Sequence, residues 1–246
     1  ERPIDSAGNY DSNHLKLSKN RRKIKREKMS MRFWKNCLLI ILFFAVIHFW
    51  LQMKSYRFSE ENFIKIVQKY SGKEIKHVFQ KVTSELQEHY PGHILPSKYC
   101  EWVMLMHSGM TLSMAVLHAS ITEYITLTGS ALDTQGYLGR HWVNATVIVL
   151  SGSVKYWKEG TMEAIEYHPG DSFTSYSGTT GCLAWKANTW IIEYGRGFLP
   201  LSFPAVVSDQ LFSSFDVLGI LKLLRAFGVA YYYELKSDIA SFVGSI

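Results

Sequence analysis

The chain has 246 residues, 47% of them apolar and 14% aromatic, enough to bury a sizeable core. Its net charge of +6 is concentrated in one place, since ten Lys or Arg residues stand against one acid, Glu27, between Lys16 and Lys35. The remainder of the chain, beyond Lys35, is close to neutral, which argues against a nucleic-acid reader, whose basic patch would sit on the fold itself.

The basic stretch 1–32 reads as a tail and is assigned no fold. Residues 33–53 come next, with "CLLIILFFAVIHFWL" at 37–51 and the flanks Phe33, Trp34 and Met53. About twenty apolar residues suffice to cross a bilayer. A cleaved signal peptide would need small residues after the run, but this one ends in Phe49, Trp50, Leu51 and Gln52. The reading is therefore an uncleaved transmembrane helix. Its N-terminal flank is far more basic than Lys54 and Arg57 behind it, so the tail is expected in the cytosol and the body across the membrane.

Segment 54–100 reads as helical. Ser59 can cap a helix with Glu60 and Glu61 in its first turn and Phe63, Ile66, Val67 and Tyr70 on one face, stopped at Gly72. A second helix is predicted from Lys73 to His89, with Ile75, Val78, Phe79, Val82 and Leu86 as its stripe. Over 101–200 the period changes, and turn signals recur at the spacing of a barrel or sandwich of about eight to ten short strands. In "HWVNATVIVLSG", Val143, Ala145, Val147 and Val149 share one face; "WKEGT" and "HPGDS" read as turns and "SYSGTTG" as a loop. After Pro200 and Pro204, segment 201–246 turns helical again. Ser213 or Ser214 is the expected cap, with Asp216 in the first turn of a helix too apolar for a wide solvent face. Such a helix covers one end of the barrel, lies in the membrane interface, or does both.

Candidate chemistry centres on "NTWIIEYGRG" (188–197). Trp190, Ile192 and Tyr194 point one way and Thr189, Ile191 and Glu193 the other, and both faces read as buried. A buried carboxylate stays protonated, pairs with another internal group, or pairs with a ligand cation; Arg196 faces the wrong side to serve as partner. His118 and Glu123 in "LHASITEY" form a candidate acid/base pair, against the plainer reading of satisfied core groups. Trp102, Tyr124, Trp185 and Tyr194 would suit a pocket that embraces an amine, or simple core packing. "NAT" at 144–146 is a glycosylation sequon. The three cysteines, Cys37, Cys100 and Cys182, show no zinc spacing, and a Cys100–Cys182 bridge stays open. No P-loop, GxSxG, HExxH or GxGxxG arrangement occurs, so no cofactor or metal is expected.

Five ordered motifs, "HYPGHILP" (89–96), "LHASITEY" (117–124), "GSALDTQGYLGRHW" (129–142), "WKEGT" (157–161) and "NTWIIEYGRG", resemble the sigma-1 receptor and fungal sterol C8–C7 isomerase family. The similarity runs from about Leu51 to about Leu235. It implies a mainly β fold with flanking helices: a cupin-like β-barrel, one N-terminal transmembrane helix, and two C-terminal membrane-associated helices. It also implies residence in the endoplasmic reticulum membrane, with the nuclear envelope as a further location. The partners implied are hydrophobic amines or sterol-like lipids, membrane lipid, client membrane proteins and a homo-oligomer.

By the same resemblance Glu193 forms the salt bridge to a ligand amine, and Met114, Tyr124, Trp185 and Phe227 take pocket positions. Departures accompany these matches. A family acid that hydrogen-bonds the pocket Glu is Val147 here, another is Asn144, and the GxxxG oligomerisation motif is broken across Ser108 to Leu112. The isomerase alternative needs two acid/base groups, for which Glu193 and Glu123 are the candidates. Without the acid at 147, burial alone is expected to act on Glu193.

Overall fold

The computed structural model describes residues 7–244, in two units that divide after Lys54. The first unit is one helix, α1 (Ala7–Met53). It extends well into the basic stretch to which the sequence assigned no fold; Lys, Arg, Leu and Glu are good helix formers, and no Pro or Gly interrupts them beyond Gly8. Within it, Glu27–Met53 is long and apolar enough to cross a membrane.

The second unit opens with α2 (Glu60–Gln68) and α3 (Ile75–His89). Ser59 caps α2 by accepting from the Asn62 amide, and Gly72 supplies the left-handed turn, φ +80°, that ends the segment. α2 buries Phe63, Ile66 and Val67, and α3 buries Val78, Val82 and Leu86. Phe63, Val67 and Leu86 retain no exposed surface, and burial of such side chains stabilises by roughly 1.5–3 kcal/mol each.

Ten strands come next, all paired antiparallel, in two sheets. They are β1 (Trp102–His107), β2 (Met110–Ala119), β3 (Glu123–Ser130), β4 (Thr134–Tyr137), β5 (Val143–Ser151), β6 (Val154–Lys158), β7 (Ile165–Tyr167), β8 (Ser172–Ser175), β9 (Gly181–Trp185) and β10 (Thr189–Gly197). The larger sheet has the order β1-β2-β3-β10-β5-β8 and the smaller β4-β9-β6-β7. One core lies between the two sheets, with Leu112, Val147, Leu183, Trp185 and Ile191 among its members. A second core lies on the other face of the larger sheet, where Leu117, Ile125, Ile148, Ile192 and Tyr194 meet Phe63, Val67, Val82 and Leu86 of the two helices. β10 is interior to the larger sheet, and both of its faces are covered by packed side chains.

The chain ends in α4 (Phe203–Asp209), a π-turn over Gln210–Ser214, and α5 (Val217–Gly244). The cap of α5 differs from expectation. Asp216 itself caps, accepting from the Gly219 amide, while Ser214 bonds back to the Gln210 carbonyl. α5 buries Leu223, Ala226 and Ala230 against the sheets and leaves Leu218, Leu221, Tyr232, Leu235 and Phe242 exposed. Cys100 and Cys182 are both free.

Candidate functional site

Between the two sheets is a cavity of about 170 Å³. Alternation along β10 turns Ile191 and Glu193 into it and sends Ile192 and Tyr194 to the helix-covered face. Around Glu193 the wall is built by Met114 from β2, Tyr124 from β3, Val147 from β5, Trp185 from β9 and Phe227 from α5. Every position that the resemblance places in the pocket therefore lines this one cavity. Glu193 keeps part of its surface open toward the cavity while being enclosed in the protein.

Glu193 stands opposite Thr126 on one side and Val147 on the other. Val147 offers no hydrogen bond, but the carboxylate is not alone: the Tyr124 hydroxyl donates to Glu193 Oε1. Register explains this contact. Tyr124 pairs directly with Gly195, and a Cβ on Gly195 would sit 2.0 Å from the Tyr124 ring. Glycine at 195 thus lets the ring lie across β10 and reach Glu193 two residues back. Burial pushes the Glu193 carboxyl above the usual range, opposed in part by the Tyr124 hydrogen bond and by His141. Burial together with the nearby Glu193 charge raises the Tyr124 phenol well above its ordinary value, so it remains a donor.

The other predicted acid/base candidates lie elsewhere. Glu123 does not reach the cavity; it is on the opposite face of the sheet, 2% exposed. Its carboxylate accepts from the Arg57 amide at 3.0 and 3.1 Å, the Phe58 amide at 3.2 Å and the Tyr194 hydroxyl at 2.8 Å. It is a saturated carboxylate that pins segment 57–58 to the barrel. Among the described residues Glu193 has one donor and keeps spare acceptor capacity, whereas the acceptor sites of Glu123 are filled.

His118 is also outside the cavity. Its Nδ1 donates to the His93 carbonyl at 2.7 Å and its ring packs on Phe58. Burial lowers its pKa to about 4, so it is neutral at ordinary pH. Arg196 turns away from Glu193 and pairs with Glu60 of α2 at 2.5 Å. Asn144 is half-buried on β5, its Oδ1 accepting from the Ser177 amide at 2.8 Å. Trp102 stacks outside the cavity, edge-on to Trp190.

Sequence reasoning missed three participants. Gly195 reads as a strand terminator until its register partner is known. His107 and His141 come from the end of β1 and the loop before β5, yet both line the cavity with ring centres 5.6 Å apart. A signal for the first was present: the dipeptide Glu-Tyr occurs in both "LHASITEY" and "NTWIIEYGRG". On adjacent antiparallel strands the two dipeptides bond crosswise, Tyr124 to Glu193 on the cavity face and Tyr194 to Glu123 on the helix face.

The family described as ERG2 and Sigma1 receptor like protein matches residues 35–237 of this chain. Sigma non-opioid intracellular receptor 1 of Danio rerio is 39% identical over 181 residues, 74% of this chain and 82% of that protein. The protein of the same name from Xenopus tropicalis is 36% identical over 191 residues, 78% of this chain and 86% of its own. Protein erg2 homolog of Dictyostelium discoideum is 30% identical over 148 residues, 60% of this chain and 62% of its own. Among solved structures, an RmlC-like cupin from Shewanella frigidimarina overlaps 43% of this chain and 90% of its own, with a TM-score of 0.38 and 14% identity.

Proposed function

Since the chain belongs to the ERG2 and Sigma1 receptor like family, we propose that it is a membrane-anchored receptor that binds hydrophobic amines or sterol-like lipids in the barrel cavity. Glu193 is the counter-ion to the ligand cation. The observation that carries this reading is a carboxylate with spare acceptor capacity on an apolar wall. In such surroundings a charge needs an opposite charge, and a protonated amine supplies it. Trp185 and Tyr124 place aromatic rings in the same wall, which favours a cation further. A cavity of about 150 Å³ takes one benzene ring, so a ligand here seats its ammonium and about one ring.

The charge asymmetry around α1 supports a cytosolic N-terminus and a lumenal body in the endoplasmic reticulum membrane. The exposed apolar face of α5 supports contact with that membrane, and partner membrane proteins would then be met in the same compartment. The isomerase reading draws support from the likeness to the Dictyostelium protein. It loses its second carboxylate, because Glu123 faces away from the cavity and its acceptor sites are filled.

The test is a titration of the detergent-solubilised chain with a tertiary-amine amphiphile and with its neutral carbon isostere. The amine should bind and the isostere should bind at least tenfold more weakly. Equal affinities would remove the counter-ion role from Glu193.

A further inference from the structure

Beyond Glu193 and Tyr124, the cavity wall carries two further titratable side chains among the described residues, His107 and His141. Their surroundings fix both tautomers. His141 Nε2 lies 2.7 Å from the Leu138 carbonyl oxygen, which only accepts, so Nε2 carries the proton and Nδ1 the lone pair. His107 Nδ1 lies 3.2 Å from Asp209 Oδ2, off the line of a good hydrogen bond but too close for a lone pair to face the carboxylate. The His107 proton therefore sits on Nδ1, and Nε2 is left with the lone pair. Neither His107 Nε2 nor His141 Nδ1 has a hydrogen-bond partner among the described residues. The wall thus holds two acceptor nitrogens on adjoining rings, their centres 5.6 Å apart.

Resting on the amine reading above, we propose that the His107–His141 pair is a second polar contact of the cavity, accepting a hydrogen bond from a hydroxyl or N–H donor on the ligand at a point separate from the ammonium held by Glu193. The favoured ligand class is then an amine with a second donor, such as an amino alcohol or aminophenol, over a purely hydrocarbon amine. Burial lowers the His107 pKa to about 4, so at neutral pH the ring accepts and does not repel a cationic ligand. A buried hydroxyl with no acceptor would be penalised, which makes the pair a selector and not merely an additional contact.

Two probes test this: dimethyl(phenylbutyl)amine and its para-hydroxyphenyl counterpart, which share the amine and differ by one O–H donor. Calorimetric titration of the whole solubilised 246-residue chain should show the phenol binding roughly 3- to 10-fold more tightly. In His107→Phe combined with His141→Phe, the ratio of the two affinities should fall to one or below, because the phenol is then buried without an acceptor. Equal affinities in the native chain would overturn the proposal and leave the amine reading standing. If neither probe bound, the amine reading would fall and this inference with it. A phenol advantage that survives in the double variant would also overturn it, since another acceptor would be taking the proton. Should the double variant melt at a much lower temperature than the native chain, the native ratio alone decides.

Discussion

Glu193→Gln isolates charge from shape. The amide has the size of the acid, and its carbonyl oxygen can still accept from the Tyr124 hydroxyl. The variant therefore keeps the strand, the cavity and the one protein hydrogen bond. What it removes is the negative charge. Truncating one partner of a buried, hydrogen-bonded charge pair costs about 2–5 kcal/mol, roughly 30-fold to several thousandfold in affinity. The lower end applies here. Burial raises the Glu193 carboxyl above its ordinary range, and each pH unit by which that value exceeds the working pH subtracts about 1.4 kcal/mol from binding. The assay is calorimetric titration of a tertiary-amine amphiphile over a pH series. Below the folded-state value the carboxyl is protonated and has no charge to pair, so native affinity should rise with pH through that value, while the amide variant stays weak and flat. Stability moves the other way. A raised carboxyl favours the fold below its unfolded value, and that contribution is lost as pH climbs to the folded value, so the variant should melt no lower than native and show less decline with pH. A variant that binds the amine within about threefold of native would refute the counter-ion role.

Other perturbations address the surrounding residues. Val147→Asp places a second carboxyl directly across from Glu193; the two should share one proton and stay singly charged, tightening amine binding several-fold in the same titration while lowering the melting temperature. Gly195→Ala should displace the Tyr124 ring, which a Cβ would approach to 2.0 Å, and weaken amine binding by a similar factor to Tyr124→Phe; Gly195→Ala binding like native would contradict the register account. Glu123→Gln sets a donor amide against the Arg57 and Phe58 amides and should cost about 2–4 kcal/mol in urea denaturation, with amine affinity of the folded fraction unchanged. His118 and His107 are held neutral at about 4. Their stabilisation is complete above the unfolded value of about 6.5 and is lost as pH falls toward 4, on the order of 3 kcal/mol each; denaturation at pH 7 and pH 4.5 measures it, and His118→Gln should reduce the difference.

Periodicity made much of this fold readable. The stripes of α2 and α3, the Ser59 cap, and the alternation of β5 and β10 are local patterns, and the structure places them as read. The placement of Glu193 on the cavity face comes from the same alternation. What stayed hidden depends on register and on loops. Tyr124 meets Glu193 only because β3 and β10 pair with Tyr124 opposite Gly195, and no local window carries that offset. His141 sits in a connection whose path is set by how β4 joins the smaller sheet and β5 the larger. Glu123 looked like a proton carrier because its type and neighbours suit one; only the amides of segment 57–58, some 65 residues earlier in the chain, reveal its structural task.

The two Glu-Tyr dipeptides show how one sheet presents two carboxylates satisfied to different degrees. Each tyrosine reaches diagonally to the glutamate of the neighbouring strand, so the pair contributes one carboxylate to each face. On the helix face two backbone amides from the segment before α2 converge on Glu123, and with the Tyr194 hydroxyl three donors satisfy its carboxylate. On the cavity face nothing among the described residues replaces those amides. Val147 presents a hydrocarbon, and Tyr124 is the single donor among the described residues. The same residue pair in the same strand geometry therefore yields a locked acid on one side and an unsaturated one on the other. An unsaturated acid in an enclosed cavity either carries a proton or attracts a cation, and the balance between those two states is what an amine ligand would shift.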